Sequence, residues 1–394
     1  MTSYIFVHFL PFLYSFKISE KNKKFLKFLI LFSICIFAGL RQERGGDWWL
    51  YLEAGRLGSA YKSVDDTIIS LIYLISYDIL DLGIYGVNII STVIVIFCLN
   101  KFLTFIKNFP LGLFVSFQSV IILGAMGYIA QSIAFAFGLL GILSLIEKKF
   151  INYLFFLFLS IVSHASGIFF AIFILSIIKN TKNLKYIIGF LILIVVFYCL
   201  INYNEINRLI YFYIGSGNYF SSKGAIPRIL ISFICAIIYF KYIKNTINNS
   251  VEKNIFSIYS IVTFILLPFV FFASTLVDRF NFYIIVLQIY TLCKFLELIK
   301  KKYLQKIFYL SIVFIYHSLF LIWMIFGAYS FFWVPYKMFP FQYCDKWFFP
   351  QRFCNYFDYR INIDYNFLER DFQKHRFKSE VKRMNKISDD AKKK

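Results

Sequence analysis

Apolar runs of about 17 to 25 residues follow one another along most of this chain, separated by short breaks rich in Lys and Asn. A helix rising 1.5 Å per residue needs that length to cross roughly 30 Å of hydrocarbon. Strand-like alternation with a polar inner face is missing, which excludes a membrane barrel. The whole chain is 60% hydrophobic and 16% charged, with a mean hydropathy of +0.68. A soluble domain is nearer to about 45–50% apolar and about 25% charged. Because the excess is not confined to one end, it is not a signal peptide on a globular body. The sequence therefore predicts an all-α, polytopic integral membrane protein with about 12 transmembrane helices, within a range of roughly 11–14.

The predicted passes are Ser3–Phe16, Phe25–Leu40, Gly83–Asn100, Pro110–Met126, Tyr128–Ile146 and Ile151–Ser163. They continue with Ser166–Ile178, Lys185–Asn202, Ile226–Ile243, Asn254–Ser274, Arg279–Leu298 and Phe308–Phe326. Ile151–Ile178 also reads as one long segment. Thr67–Leu82, which carries Asp78 and Asp81, reads as an interfacial helix. Residues 1–340 form a transmembrane domain with outer loops at 41–82 and 203–225, and 341–394 form a basic tail.

Orientation follows from Lys and Arg in short loops. Loops counted alternately from Lys17–Lys27 hold 20 Lys and no Arg against four Glu. The opposite set, up to Pro340, holds six Arg and three Lys against nine acids. The Lys side is read as cytoplasmic and the N-terminus as outside. All six of those arginines (Arg41, Arg44, Arg56, Arg208, Arg228 and Arg279) thus face outward. Orientation needs no such choice, since Lys serves it equally. A guanidinium fork, unlike Lys, grips phosphate or carboxylate with two parallel hydrogen bonds. Snorkelling to headgroups or pairing with nearby Asp is the plain alternative; six of six favours an outward anion site.

The centres of the predicted passes carry no Asp, Glu, Lys or Arg, which argues against an ion-coupled transporter. His8 and His317 lie within spans and read as packing residues. The seven cysteines show no metal or redox spacing. There is no P-loop and no nucleophile elbow, so neither nucleotide, metal nor other cofactor is expected at the site, and no nucleic acid as partner.

The densest local signal is Arg41-Gln-Glu-Arg44-Gly45-Gly46-Asp47-Trp48-Trp49-Leu-Tyr51. Its glycines allow a sharp turn where a helix leaves the membrane. Asp47 is placed to orient Arg41 and Arg44, while Trp48, Trp49 and Tyr51 offer flat amphipathic faces. An aromatic belt at the interface accounts for the aromatics alone.

This run resembles the pattern of the EpsG/Wzy-type bacterial polysaccharide polymerases, and further positions follow in the same order. Gln131-Ser-Ile-Ala is similar to the family's Arg-Gln-x-x-Ala, with Ala130 where Arg is usual. Ser163-His164-Ala-Ser166 resembles its His-x-Ser break. Arg228 opens a helix after a loop rich in Gly and Tyr. Asp278-Arg279-x3-Tyr283 resembles its Arg-x3-Tyr start, and Trp333-Val-Pro335-Tyr336 its closing Trp-x-Pro-Tyr. The resemblance spans nearly all of residues 25 to 340. It implies a membrane glycosyltransferase of the C type, in the bacterial cytoplasmic membrane, with its active site facing the periplasm or cell exterior. Such an enzyme joins undecaprenyl-pyrophosphate-linked oligosaccharide repeat units into O-antigen, capsule or exopolysaccharide.

On that reading Arg41, Arg228 and Arg279 stabilise the departing pyrophosphate. Asp47 and His164 are candidate proton acceptors, although a packing role fits His164 equally well. Arg44, Trp48, Tyr51, Gln131, Tyr219, Tyr283 and Tyr336 are candidate substrate contacts. Partners would be the lipid-linked oligosaccharide, membrane lipids and a chain-length regulator. A flippase for the same lipid-linked unit is the alternative from another class, but it should show two related halves and a cationic cavity. An O-antigen ligase shares the arginine logic. Cys344 and Cys354 in the tail would pair if that tail lies in an oxidising compartment.

Overall fold

The computed structural model describes residues 1–16, 19–48, 50–52, 67–177, 222, 224–327, 330–334 and 336–339. Among them the regular structure is helical throughout, apart from an isolated bridge between Arg41 and Met338. Among the described residues six helices are long and apolar enough to cross a membrane: Gly83–Ile106, Ile129–Ile146, Ala225–Thr246, Ser250–Phe269, Ser274–Leu298 and Lys302–Phe326. Four shorter apolar helices stand beside them: Thr67–Ile79, Phe109–Ala125, Phe150–Ser163 and Ala165–Ile177.

Among the described residues six helices of crossing length are found where about twelve passes are expected over the whole chain, and several of the expected passes differ for local reasons. The first expected pass starts as a helix at Thr2–Phe9 and tightens to a 3-10 turn over Leu10–Ser15, where Pro11 removes a backbone donor. The second belongs to Glu20–Gly39, whose opening turns carry Lys21, Lys23, Lys24 and Lys27. Phe109–Ala125 widens to π geometry from Phe117. The expected pass Lys185–Asn202 lies outside the described residues, as do the tail from Phe341 with Cys344 and Cys354, and Tyr219.

Helix ends follow side-chain chemistry. Ser19 accepts a hydrogen bond from the Asn22 amide (3.3 Å) at the start of Glu20–Gly39. The Asn249 carboxamide accepts from the Val251 and Glu252 amides (3.0 and 3.3 Å) before Ser250–Phe269. His164, extended at φ −166° and ψ 136°, breaks Phe150–Ser163 from Ala165–Ile177, so Ile151–Ile178 is two segments.

The chain divides into two units, one of Met1–Ile172 with Ile285–Ile361 and one containing Phe173–Ile284. In the first, Ile129–Ile146 is enclosed by its neighbours. Its small residues admit close approach: a Cβ at Gly138 would strike the Phe170 ring. The Ser160 hydroxyl donates to the Ala134 carbonyl at 2.8 Å, and the Tyr153 hydroxyl to that of Phe170 at 3.0 Å. The second unit is centred on Ala225, Ile229, Val270 and Val277, all buried, with Leu266 and Leu267 against them.

Candidate functional site

The turn after Glu20–Gly39 is formed by residues whose backbone and side chains both depart from the helix. Glu43 takes φ +53° and Gly45 φ +115°, the left-handed region. A Cβ at Gly45 would run into the Met126 carbonyl oxygen, so only glycine fits there. Arg41, 1% exposed, turns back over the helix end rather than outward. Its Nη1 donates to the Ala38 carbonyl (2.6 Å) and its Nε to the Arg44 carbonyl (2.9 Å). The Ala38 carbonyl, in the last turn of the helix, lacks an intrahelical donor and carries the negative end of the dipole, whereas the Arg44 carbonyl belongs to the turn beyond it. Arg41 also lies 5.9 Å from the Trp48 ring. Burial pushes its guanidinium down to about 9, which still leaves it charged at neutral pH.

Arg44 is equally enclosed, 2% exposed, with Nη1 on the Glu43 carbonyl at 3.2 Å. Trp48, expected to offer a face to sugar, is 1% exposed. Gly46 and Asp47 are the partly exposed part of the turn. Tyr51 behaves differently from a belt residue. Its hydroxyl accepts the Ala130 amide (3.2 Å) in the uncapped first turn of Ile129–Ile146, beside buried Gln131.

A strap from Phe332 to Phe339 closes over the same turn. The Gln42 amide donates to the Lys337 carbonyl (3.0 Å), the Gly45 amide to that of Phe332 (2.9 Å), and the Phe339 amide to that of Leu40 (2.9 Å). Tyr336 donates its hydroxyl to the Phe37 carbonyl at 2.7 Å and stacks on the Phe37 ring at 4.3 Å, so that face of the ring is occupied. Burial raises the Tyr336 phenol above its ordinary range, with Arg41 pulling the other way. The Trp333 indole donates to the Ile122 carbonyl (3.0 Å), and its ring would meet a Cβ at either Gly46 or Gly127. Lys337 Nζ reaches Glu43 Oε2 at 2.6 Å.

His164 stands elsewhere in this unit, at the break between two short helices. Its Nδ1 pairs with the Ser166 hydroxyl at 2.5 Å and accepts the Ser166 amide at 3.2 Å. This Nδ1 caps the chain reversal, whereas its other nitrogen takes no part in that cap.

In the second unit Arg228 sits on the first turns of Ala225–Ile238, beside the buried Ala225 and Ile229. Its Nε lies 2.9 Å from the Gly224 carbonyl and 3.2 Å from Asp278 Oδ1. The Ser222 hydroxyl donates to Asp278 Oδ2 (2.9 Å), and the Ser222 amide to the Ser274 hydroxyl (3.0 Å). The side chains of Arg228 and Asp278 are 26% and 20% exposed, so the pair is anchored yet reachable. One turn on, Ser232 donates to Asn281 Oδ1 at 2.6 Å. Arg279, the residue after Asp278, is exposed, while Tyr283 is buried.

The structure thus brings Arg41, Arg44, Trp48 and Tyr336 together around one buried turn, with Tyr51 tying that region to the helix of Gln131. It pairs Arg228 with Asp278 and leaves Arg279 next to them. Sequence reasoning missed Glu43, Lys337 and Asp278 as participants. Asp278 had a signal in its place beside Arg279. Lys337 had one in following Tyr336 directly, as a rare lysine among the arginine-bearing segments that the sequence predicts to be outer.

Helices of crossing length, with the described arginines confined to helix starts and one turn after a helix end, define the class as a polytopic membrane protein. The EpsG family model matches residues 24–338, and the chain belongs to that family, the family of Wzy-type polysaccharide polymerases. Comparison with curated proteins and with solved structures gave no match.

Proposed function

We propose that this protein joins undecaprenyl-pyrophosphate-linked oligosaccharide repeat units into O-antigen, capsule or exopolysaccharide at the outer face of the bacterial cytoplasmic membrane. A hydroxyl at the non-reducing end of one unit attacks the anomeric carbon of the growing chain. The new glycosidic bond forms as the bond to the carrier pyrophosphate breaks; the hydroxyl proton passes to a base and undecaprenyl pyrophosphate departs. The leaving group needs fixed positive charge, which guanidinium supplies. In this reading Arg228 and Arg279 carry that task. Arg41, spent on backbone carbonyls, shapes the turn that carries Asp47, the candidate base. The observation that carries the proposal is the family match over residues 24–338, which includes both arginine-bearing regions.

The size distribution of surface glycan from cells lacking the chain tests it. Carriers or cores bearing a single repeat unit, without longer chains, support polymerisation. Loss of all surface repeats with lipid-linked units kept inside points instead to a flippase. Arg228→Ala and Arg279→Ala should each abolish chain growth at normal protein level, and Arg→Lys should rescue poorly because Lys lacks the planar fork. Normal polymer from both alanine variants removes these residues from the mechanism.

A further inference from the structure

We infer that Gly224 is a positioning residue for the Arg228 guanidinium, kept small so that the Nη edge of that fork stays clear for a diphosphate; the inference rests on the polymerase reading above. Gly224 lies at φ −85° and ψ −5°, which any residue adopts, so its backbone does not call for glycine. The space beside it does. A Cβ at Gly224 would run into Arg228 Nη2 and would crowd Cζ at 3.1 Å and Nε at 3.3 Å. The three atoms nearest to that Cβ thus all belong to one guanidinium.

Arg228 is held by Nε, which meets the Gly224 carbonyl at 2.9 Å and Asp278 Oδ1 at 3.2 Å. Neither Nη1 nor Nη2 hydrogen-bonds to a described residue. With the side chain 26% exposed, both keep their N–H bonds for a ligand, and a pair of parallel N–H groups suits two oxygens of one phosphate. The backbone cannot absorb a side chain at Gly224. The next amide, that of Ala225, donates to the Ser222 carbonyl (3.1 Å), and Ala225 itself is buried with Ile229, Val270 and Val277. The partly exposed guanidinium is therefore the group that gives way. A displacement of about 1 Å in a group that acts on the reacting bond costs on the order of a hundredfold in rate. Folding is hardly touched, because only the end of a long polar side chain moves. Gly45 is the opposite case, since a Cβ there meets a backbone carbonyl.

The test uses membranes carrying the full chain, supplied with undecaprenyl-pyrophosphate-linked repeat units from cells that lack it, and detergent-purified protein for the thermal midpoint. Gly224→Ala should lower turnover by on the order of ten- to a hundredfold, while midpoint and membrane level stay those of the wild type. Gly224→Ala added to Arg228→Lys should be no worse than Arg228→Lys alone, because the ammonium has no Nη2 to displace. A general disturbance of the helix start would instead multiply the two losses. Normal turnover in Gly224→Ala beside an inactive Arg228→Ala, a lowered midpoint, or multiplied losses each overturn the inference and leave the polymerase reading standing. Full chain growth in Arg228→Ala removes Arg228 from the mechanism and Gly224 with it. A wild-type chain that joins no units overturns the polymerase reading itself.

Discussion

Replacing Arg41 with Ala separates a structural guanidinium from a substrate-binding one. In the folded chain Arg41 satisfies the Ala38 and Arg44 carbonyls at 2.6 and 2.9 Å while 1% exposed. Truncation leaves both oxygens buried without that donor, at about 1–3 kcal/mol each. The cation's contribution at the helix C-terminus, about 0.3–1 kcal/mol, goes with it. Against this, the chain no longer carries the desolvation cost of a buried charge. A net loss of about 3–5 kcal/mol is expected, and Arg41→Met, which keeps the stem but lacks the same donors, should lose nearly as much. In detergent-purified protein the thermal midpoint should fall by on the order of 5–10 °C for Arg41→Ala. Protein level in the membrane should fall in parallel, and chain growth only as far as the protein is lost. An Arg41→Ala variant with an unchanged midpoint and no chain growth would refute the reasoning and return Arg41 to the substrate.

Gly45→Ala forces a Cβ into the Met126 carbonyl at φ +115°. Strain of about 1–3 kcal/mol, plus about 1 kcal/mol for the weakened Gly45–Phe332 hydrogen bond, should lower both thermal midpoint and membrane level. Asp278→Asn keeps the shape and the Ser222 contact but removes the charge facing Arg228. With both side chains partly exposed, stability should change by less than about 1 kcal/mol. The surface-glycan ladder should nevertheless shorten, because Arg228 loses the partner that orients it; an unchanged ladder at normal protein level counts against that role.

Local chemistry made much of the fold legible. Long apolar runs became helices because a backbone in hydrocarbon must satisfy itself internally. The break at Ser163-His164-Ala-Ser166 could be read because polar side chains interrupt an apolar run, and His164 caps the reversal through Ser166. The number of crossings was less legible. Hydropathy cannot see that Pro11 tightens the first segment or that the helix through Phe117 widens to π geometry. Side-chain direction was not legible at all: Arg41 and Trp48 have the composition of a ligand-facing turn but point into protein.

The ordered resemblance along the chain gains physical meaning from contacts far apart in sequence. The Arg41–Gly46 turn, the helix start at Ala130-Gln131 and the Trp333–Tyr336 segment each match the family pattern weakly. In the first unit they are joined by the Tyr51 hydroxyl on the Ala130 amide, the Gly45 amide on the Phe332 carbonyl, and the Tyr336 hydroxyl on the Phe37 carbonyl. No local period encodes pairings separated by 79 and 299 positions, so sequence could suggest the pieces but not their assembly. At Ala130, where the resemblance would place an Arg, the same contacts ask nothing of the side chain. The structural link at that position is made by a backbone amide, which any residue but proline supplies. A guanidinium there would add a cation beside a region where Arg41 and Arg44 are already buried. Ala130 thus preserves the scaffold of the turn while leaving its charge to the two arginines that the turn itself encloses.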